Sequence, residues 1–367
     1  MYRILFMPLL QIPSGHHHVA DSIRDQLNLS SGNFHCEKVE ILSFSYGKME
    51  ALISAIYLQW IHKLPGLYSE VYKRAAVKGR VINKHFYLYE GLFLKKVQHL
   101  LEQAEPDLII CTHALPSFII SRLKKRNLWA GQVINVYTDY FINKLWGIEG
   151  INYHFVPSLQ VKNELLEQGV QKQQIFVTGI PIHPIFRTLK VAPLKKCTCT
   201  VLISGGNMGA GSIQQLLDHL NPSGSIFYKV LCGKNIDLFQ SIERLNHSHI
   251  KPLPYLESKE EMNHLYNEAD AIITKPGGVT ITESLWKKLP IFVYEALPGQ
   301  EEINLNYLQR QGLIFHLDYK NSSINVENKI LDILSNRLPQ FNKHLETFYN
   351  GFEKNDVSHI INKILMS

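Results

Sequence analysis

Residues 270–295, "DAIITKPGGVTITESLWKKLPIFVYE", hold a whole folding unit in one line. An apolar run, AIIT, ends in Lys-Pro-Gly-Gly, a helix-length amphipathic segment follows, and a second short apolar run, PIFVY, closes the unit. Runs this short and this continuously apolar are those of strands buried on both faces, and a helix between them makes the strands parallel. Gly277 and Gly278 stand at the strand-to-helix turn, where residues without side chains let backbone N–H groups approach a phosphate at a helix N-terminus. Glu283, taken as a residue of the first turn, has two readings. With Thr280 it is spaced as a capping box that satisfies orphan donors. With the glycines at a diphosphate, it accepts hydrogen bonds from a ribose diol.

The same rhythm runs through the chain. RILFMPLL, HCEKVEIL, DLIICT, GQVINVYT, YHFVPS and IFVTGI are candidate strands of a first half, and TCTVLISGG, IFYKVLCG, DAIIT and PIFVYE of a second. At 367 residues the chain is too long for one ordinary core. The proline-rich, aperiodic stretch GIPIHPIFRTLKVAPLKK contains the hinge. We therefore expect two tandem doubly wound α/β domains, residues 1–188 and 189–367, with the last helix able to return to the first domain.

Composition excludes several classes. No segment reaches the roughly 18 apolar residues of a membrane span, and MYRILFMPLL reads as a buried first strand, not a leader, because no small-residue cleavage site follows it. Five scattered cysteines give neither a disulfide framework nor a zinc spacing, which fits a reducing cytoplasm. The net charge of +6 lies wholly in the first half, where 20 Lys and Arg face 14 Asp and Glu, against 18 of each in the second. It is densest in residues 56–100, where Lys63, Lys73, Arg74, Lys78, Arg80, Lys84, Lys95 and Lys96 interleave with aromatic residues such as Trp60, Tyr72 and Phe93. Basic aromatic helices lie on anionic membrane surfaces, although inward-packed aromatics under a solvated face fit the same pattern. No nucleic-acid motif accompanies the charge.

In open α/β sheets ligands bind beyond the carboxyl ends of the strands, so the loops there carry the chemistry. SGGNMGAGS, residues 204–212, lacks the lysine of a P-loop and the spacing of a dinucleotide fingerprint, leaving either a generic phosphate turn or a plain tight turn. PGQEEINLNYL, residues 298–308, gathers Gln300, Glu301 and Asn304, groups suited to sugar hydroxyls. PSGHHHVADSI, after the first strand, offers His16, a residue that titrates near neutrality; three adjacent imidazoles do not share a helical face and make a poor metal site.

The stretch ITKPGGVTITESLWKKLPIFVYEALPGQEEINLNYL resembles the donor site of the bacterial diacylglycerol glucosyltransferases and plant monogalactosyldiacylglycerol synthases, a glycosyltransferase group that includes the lipid II N-acetylglucosaminyltransferase. YTDYFINKLW, HFVPSLQVKNELLEQGV, IFVTGIPIHPIF and VLCGKN extend the likeness over most of the chain from about 107 to 312, and the glycine-histidine turn is similar too. The resemblance implies a GT-B fold: two Rossmann-like domains facing a cleft, with the acceptor on the N-terminal side and a UDP-sugar on the C-terminal side. By position, Glu283 would bind the ribose, and Gly277, Gly278, Val279 and Thr280 the diphosphate. Gln300, Glu301 and Asn304 would hold the donor sugar, with Gly206 and Asn207 on the opposite side of the phosphates and Met262 near the uracil. His16 would be the general base, with Asp139 as the second candidate. The implied reaction is inverting transfer of a hexose to a lipid, diacylglycerol, by a peripheral protein on the cytoplasmic face of the membrane, without metal or other cofactor. A soluble or polyprenyl acceptor, and a UDP-sugar 2-epimerase of the same architecture, are the alternatives.

Overall fold

The computed structural model describes residues 1–8, 14–30, 32–41, 82–188, 198–205, 213–220, 222–297, 299–320 and 325–366, with side chains from Glu90 onward in the segment that starts at 82. These residues divide into two compact units. The first comprises Met1–His183, Gly299 with Gln300, and Gly351–Ser367; the second comprises Pro184–Leu297 and Glu301–Asn350.

In the first unit, β1 (Tyr2–Met7), β2 (Phe34–Lys38), β3 (Leu108–Cys111), β4 (Gln132–Val136), β5 (Tyr153–Val156) and β6 (Ile175–Val177) form one sheet in the order β2-β1-β3-β4-β5-β6. Every ladder is parallel. The central strand LIIC is buried at each position, as two-sided coverage by helices demands. Those helices are α1 (Gly15–Leu29), α2 (Ile82–Ala104), α3 (Ala114–Lys125) and α4 (Leu159–Glu167).

The second unit repeats the plan with β7 (Cys199–Ser204), β8 (Ile226–Leu231), β9 (Ile250–Leu253), β10 (Ala271–Thr274), β11 (Ile291–Val293) and β12 (Phe315–His316). Their order, β12-β11-β10-β7-β8-β9, is that of a dinucleotide-binding sheet. Its helices are α5 (Ile213–Asp218), α6 (Ile236–Leu245), α7 (Lys259–Glu268), α8 (Gly278–Trp286), α9 (Gln300–Arg310), α10 (Val326–Asn336) and α11 (Leu338–Tyr349), while α12 (Val357–Met366) packs on α1 of the first unit. In each sheet the strand order reverses at one place, between β1 and β3 in the first and between β7 and β10 in the second. Both glycine-rich loops of the second half leave strands that flank its reversal.

The sequence reading omitted β9 and β12. Both are edge strands, β9 containing Pro252 and β12 spanning two residues, so neither shows a buried apolar run. Residues Pro184–Thr188, read as the end of the first domain, pack into the second unit. There the Phe186 ring lies edge-on to Tyr266 at 5.7 Å and the Arg187 guanidinium lies 5.1 Å over Trp286. Of the five cysteines, Cys36, Cys111, Cys199 and Cys232 are free, and Cys197 lies outside the described residues.

The return of the C-terminal segment to the first unit is tied down at Gly179. Its φ of +71 is the left-handed conformation, and a Cβ there would stand 2.5 Å from Cε2 of Phe352. Next to it, Glu353 donates its N–H to the Val177 carbonyl at 2.8 Å. Gly179→Ala is therefore expected to cost about 2 kcal/mol through backbone strain and displacement of Phe352, read as a lowered midpoint in urea unfolding.

Candidate active site

In the first unit three strand ends converge on one imidazole. Beyond β1, Ser14 caps α1 in an extended conformation and accepts the N–H groups of His17 and His18 at 3.0 and 3.1 Å, which fixes the histidine turn. Nδ1 of His16 lies 2.7 Å from the carbonyl oxygen of Thr112, beyond β3, and 3.0 Å from the hydroxyl of Thr138, beyond β4. A carbonyl only accepts, so Nδ1 carries the proton and Nε2 presents a lone pair. Burial lowers the pKa of His16 and outweighs the Asp139 charge and the Thr112 carbonyl, which raise it. The result is a neutral imidazole of fixed tautomer, the form a general base needs.

The rings of His16 and His113 meet edge-on at 4.6 Å. Nδ1 of His113 accepts the N–H of Leu115 at 3.1 Å as the N-cap of α3, and burial holds this imidazole well below the usual titration range. Asp139 accepts a hydrogen bond from the side-chain amide of Gln300. The three adjacent histidines meet three environments. His17 is buried and neutral, lowered to about 4 chiefly by that burial, with Nε2 3.4 Å from a Glu40 oxygen; His18 is exposed.

In the second unit β10 delivers Lys275, Pro276 and Gly277 to the start of α8. Gly277 is the N-cap, with φ −79 and ψ 144, which any residue adopts, and a Cβ on it would meet nothing within 4 Å. Among the described residues, neither backbone strain nor packing requires a glycine there. What the missing side chain leaves is room in front of the helix. The ladder of α8 starts with Ile281 N–H to Gly277 carbonyl at 3.2 Å, so the N–H groups of Gly278, Val279 and Thr280 precede it. Anions are stabilised at such an end by both donors and dipole.

Glu283 follows on the same helix and accepts from the hydroxyl of Tyr266 on α7 at 2.9 Å. Burial pushes its carboxyl up to about 7, against the Tyr266 hydroxyl and the Lys259 charge, which lower it. Met262 lies one turn before Tyr266 on α7, on the same helical face.

These two arrangements sit at the strand-order reversals of two sheets of the Rossmann type, and known proteins share the family and the fold. Residues 16–182 match the model of the monogalactosyldiacylglycerol (MGDG) synthases, and residues 200–361 that of the glycosyltransferase family 28 C-terminal domain. The uncharacterized glycosyltransferase YkoN of Bacillus subtilis (strain 168) is 41% identical over 371 residues, spanning 100% of this chain and 98% of its own. The chain belongs to this glycosyltransferase family. Another relative, the processive diacylglycerol beta-glucosyltransferase of Bacillus pumilus (strain SAFR-032), is 28% identical over 96% of the chain and 91% of its own length. The crystal structure of Acinetobacter baumannii MurG superposes with a TM-score of 0.63 at 14% identity, covering 100% of both chains, a likeness in fold. The fold of the glycosyltransferase is GT-B.

Within this glycosyltransferase some expected site residues stand otherwise than their spacing suggested. The capping box is absent. Thr280 lies inside α8 and Glu283 in its second turn, where the carboxylate binds Tyr266. Asn304 is 1% exposed and donates to the Pro276 carbonyl at 3.1 Å, so it holds the glycine turn from behind. Glu301 accepts the N–H of Leu297 at 2.7 Å ahead of α9. Gly206 and Asn207 lie outside the described residues, as does, up to residue 81, the basic aromatic segment expected to meet a membrane. The remainder of that segment is helix α2, whose Phe93 is 2% exposed and joins the core while Lys95 faces solvent. No described helix is long and apolar enough to cross a membrane.

Sequence reasoning missed His113, Thr138 and Tyr266. The signal available for the first two was their position, just past the apolar runs LIIC and QVINV, where strand ends deliver functional groups. For Tyr266 it was the helical spacing from Met262.

Proposed function

We propose that the chain is an inverting, UDP-sugar-dependent hexosyltransferase that glycosylates diacylglycerol at the cytoplasmic face of the membrane. The observation that carries this reading is the turn at Gly277: a glycine that nothing among the described residues demands, at a strand-order reversal, capping the helix whose second turn carries a carboxylate suited to a ribose. The relatedness to a processive diacylglycerol beta-glucosyltransferase supports the lipid acceptor.

In this proposal the acceptor hydroxyl oxygen forms a bond to the anomeric carbon as the bond from that carbon to the diphosphate oxygen breaks, with inversion. The electron pair leaves on UDP and the hydroxyl proton passes to Nε2 of His16. Asp139, whose charge opposes the effect of burial on His16, stabilises the imidazolium. Charge growing on the diphosphate is met by the N–H groups of Gly278, Val279 and Thr280. The helix dipole contributes about 1 kcal/mol and each well-aimed donor roughly 3 kcal/mol, which makes a bridging metal unnecessary. Gln300 and Glu301 hold the sugar, Met262 borders the uracil, and Asn304 steadies the turn.

The test is to incubate the protein with UDP-glucose, UDP-galactose or UDP-N-acetylglucosamine, with and without diacylglycerol in anionic liposomes, reading UDP release and glycolipid together. UDP release and glycolipid that both require diacylglycerol are the expected result. Release onto a soluble or polyprenyl acceptor alone would discard the diacylglycerol assignment, and sugar interconversion without release would make the protein an epimerase.

A further inference from the structure

The carboxylate of Glu283 is asymmetric. Oε2 is held by the Tyr266 hydroxyl at 2.9 Å, whereas Oε1 has no hydrogen-bond partner among the described residues, and the residue is only half-buried. The tyrosine is itself immobilised. It is 1% exposed, and its ring meets that of Phe186 edge-on at 5.7 Å. Burial, then the Glu283 charge, holds its phenol well above the usual range, so the hydroxyl is a donor around neutral pH. Charged groups also stand around the carboxylate. Lys259 on α7 acts on it through charge. Lys287, one turn along α8, directs its ammonium to the Thr188 carbonyl at 2.8 Å, the Thr188 hydroxyl at 3.2 Å and Asn267 at 2.9 Å. Arg187 lies over Trp286.

We propose that Tyr266 is a positioning residue of the nucleotide-sugar site: by occupying Oε2 of Glu283 it fixes the carboxylate plane and leaves Oε1 as the single acceptor for a vicinal diol. The proposal rests on the reading of Glu283 as the ribose-binding group. A carboxylate free to rotate offers a diol many weak geometries; one pinned through its second oxygen offers one, with its rotational entropy already lost before the ligand arrives. The hydroxyl also favours the charged form of the carboxyl, the form that accepts from both ribose hydroxyls. Nothing in the spacing of residues 266 and 283 announced this pairing, because the two sit on different helices.

The experiment is calorimetric titration of UDP into the full-length protein from about pH 6 to about pH 9, in the parent, Tyr266→Phe, Glu283→Gln and the double variant. Glu283→Gln supplies the pH dependence contributed by the phosphates. Relative to it, parent affinity rises with pH through a midpoint near 7, as Glu283 ionises. Tyr266→Phe keeps the ring against Phe186, weakens UDP about ten-fold near neutrality and moves the midpoint up by about one unit. In the Glu283→Gln background the same change has little further effect, since the tyrosine acts through the carboxylate. Tyr266→Met, a flexible filler, replaces the phenylalanine variant should the latter not fold. A phenylalanine variant with parental affinity and midpoint overturns the positioning role and leaves the ribose assignment standing if Glu283→Gln still loses affinity. A parent that binds no UDP overturns both.

Discussion

His16→Ala is expected to lower the rate of transfer about a thousand-fold while UDP affinity stays within about two-fold of the parent. The separation follows from where the residue stands. His16 belongs to the first unit, at the reversal between β1 and β3, whereas the described groups assigned to the nucleotide, from Met262 on α7 to Gly277 and the first two turns of α8, belong to the second. What alanine removes is Nε2, the atom left as a proton acceptor once Thr112 has claimed Nδ1. A thousand-fold is about 4 kcal/mol of transition-state stabilisation, within the range of a positioned general base. The pH profiles carry a second expectation. With donor bound, Glu283 is kept ionised, so kcat falls on the acid side only as His16 protonates, below the ordinary histidine range because burial disfavours the imidazolium. For kcat/KM of the donor the free protein matters, and its acid limb lies near 7, where Glu283 titrates. A calorimetric loss of UDP binding in His16→Ala would remove the residue from the acceptor side altogether.

The contrast between the histidine of the first unit and the glycine turn of the second shows what a sequence exposes and what it hides. The glycine turn was legible because it combines two composition signals, an apolar strand and consecutive glycines, within a few residues. Central strands such as AIIT and LIIC were legible because burial on both faces leaves no polar residue in the run. Edge strands lack that pressure on one side, and IKPL was lost accordingly. The chemistry of His16 was half legible. Its residue type and turn suggested a base, but its tautomer is set by a backbone carbonyl 96 residues away, and every residue in the chain has such a carbonyl. Thr280 and Glu283 illustrate the opposite error. Their spacing fits a capping box, a local rule, yet the helix starts earlier at Gly278 and the carboxylate finds Tyr266 across a helix pair. Local rules fail where tertiary structure offers a charged group a partner and its function requires one oxygen to stay open.

Glu283 should therefore behave as a residue that weakens the fold in order to serve the ligand. Its carboxyl titrates near 7 in the folded protein, up from 4.5, because burial disfavours the charge. A carboxyl raised on folding binds its proton more tightly in the native state, so its contribution to stability is most favourable below about pH 4.5 and declines as pH rises through 7, after which the full penalty remains. The shift corresponds to about 3 kcal/mol, which partial exposure of the group reduces to about 2 kcal/mol. Glu283→Gln keeps an oxygen to accept from Tyr266 and removes the charge. It should raise the thermal midpoint at about pH 8 by about 4 °C and leave the midpoint near pH 5 almost unchanged, while UDP affinity at the higher pH falls about a hundred-fold through loss of charge-assisted bonds to the diol. Opposite signs from one substitution separate the ribose-binding role from a structural one. A carboxylate that merely joined α7 to α8 would lose stability and leave UDP untouched, whereas one kept for a nucleotide gains stability and releases it. Scanning calorimetry at the two pH values, paired with UDP titration of the same preparations, reads both signs; unchanged affinity would detach Glu283 from the nucleotide, and with it the reading of the glycine turn.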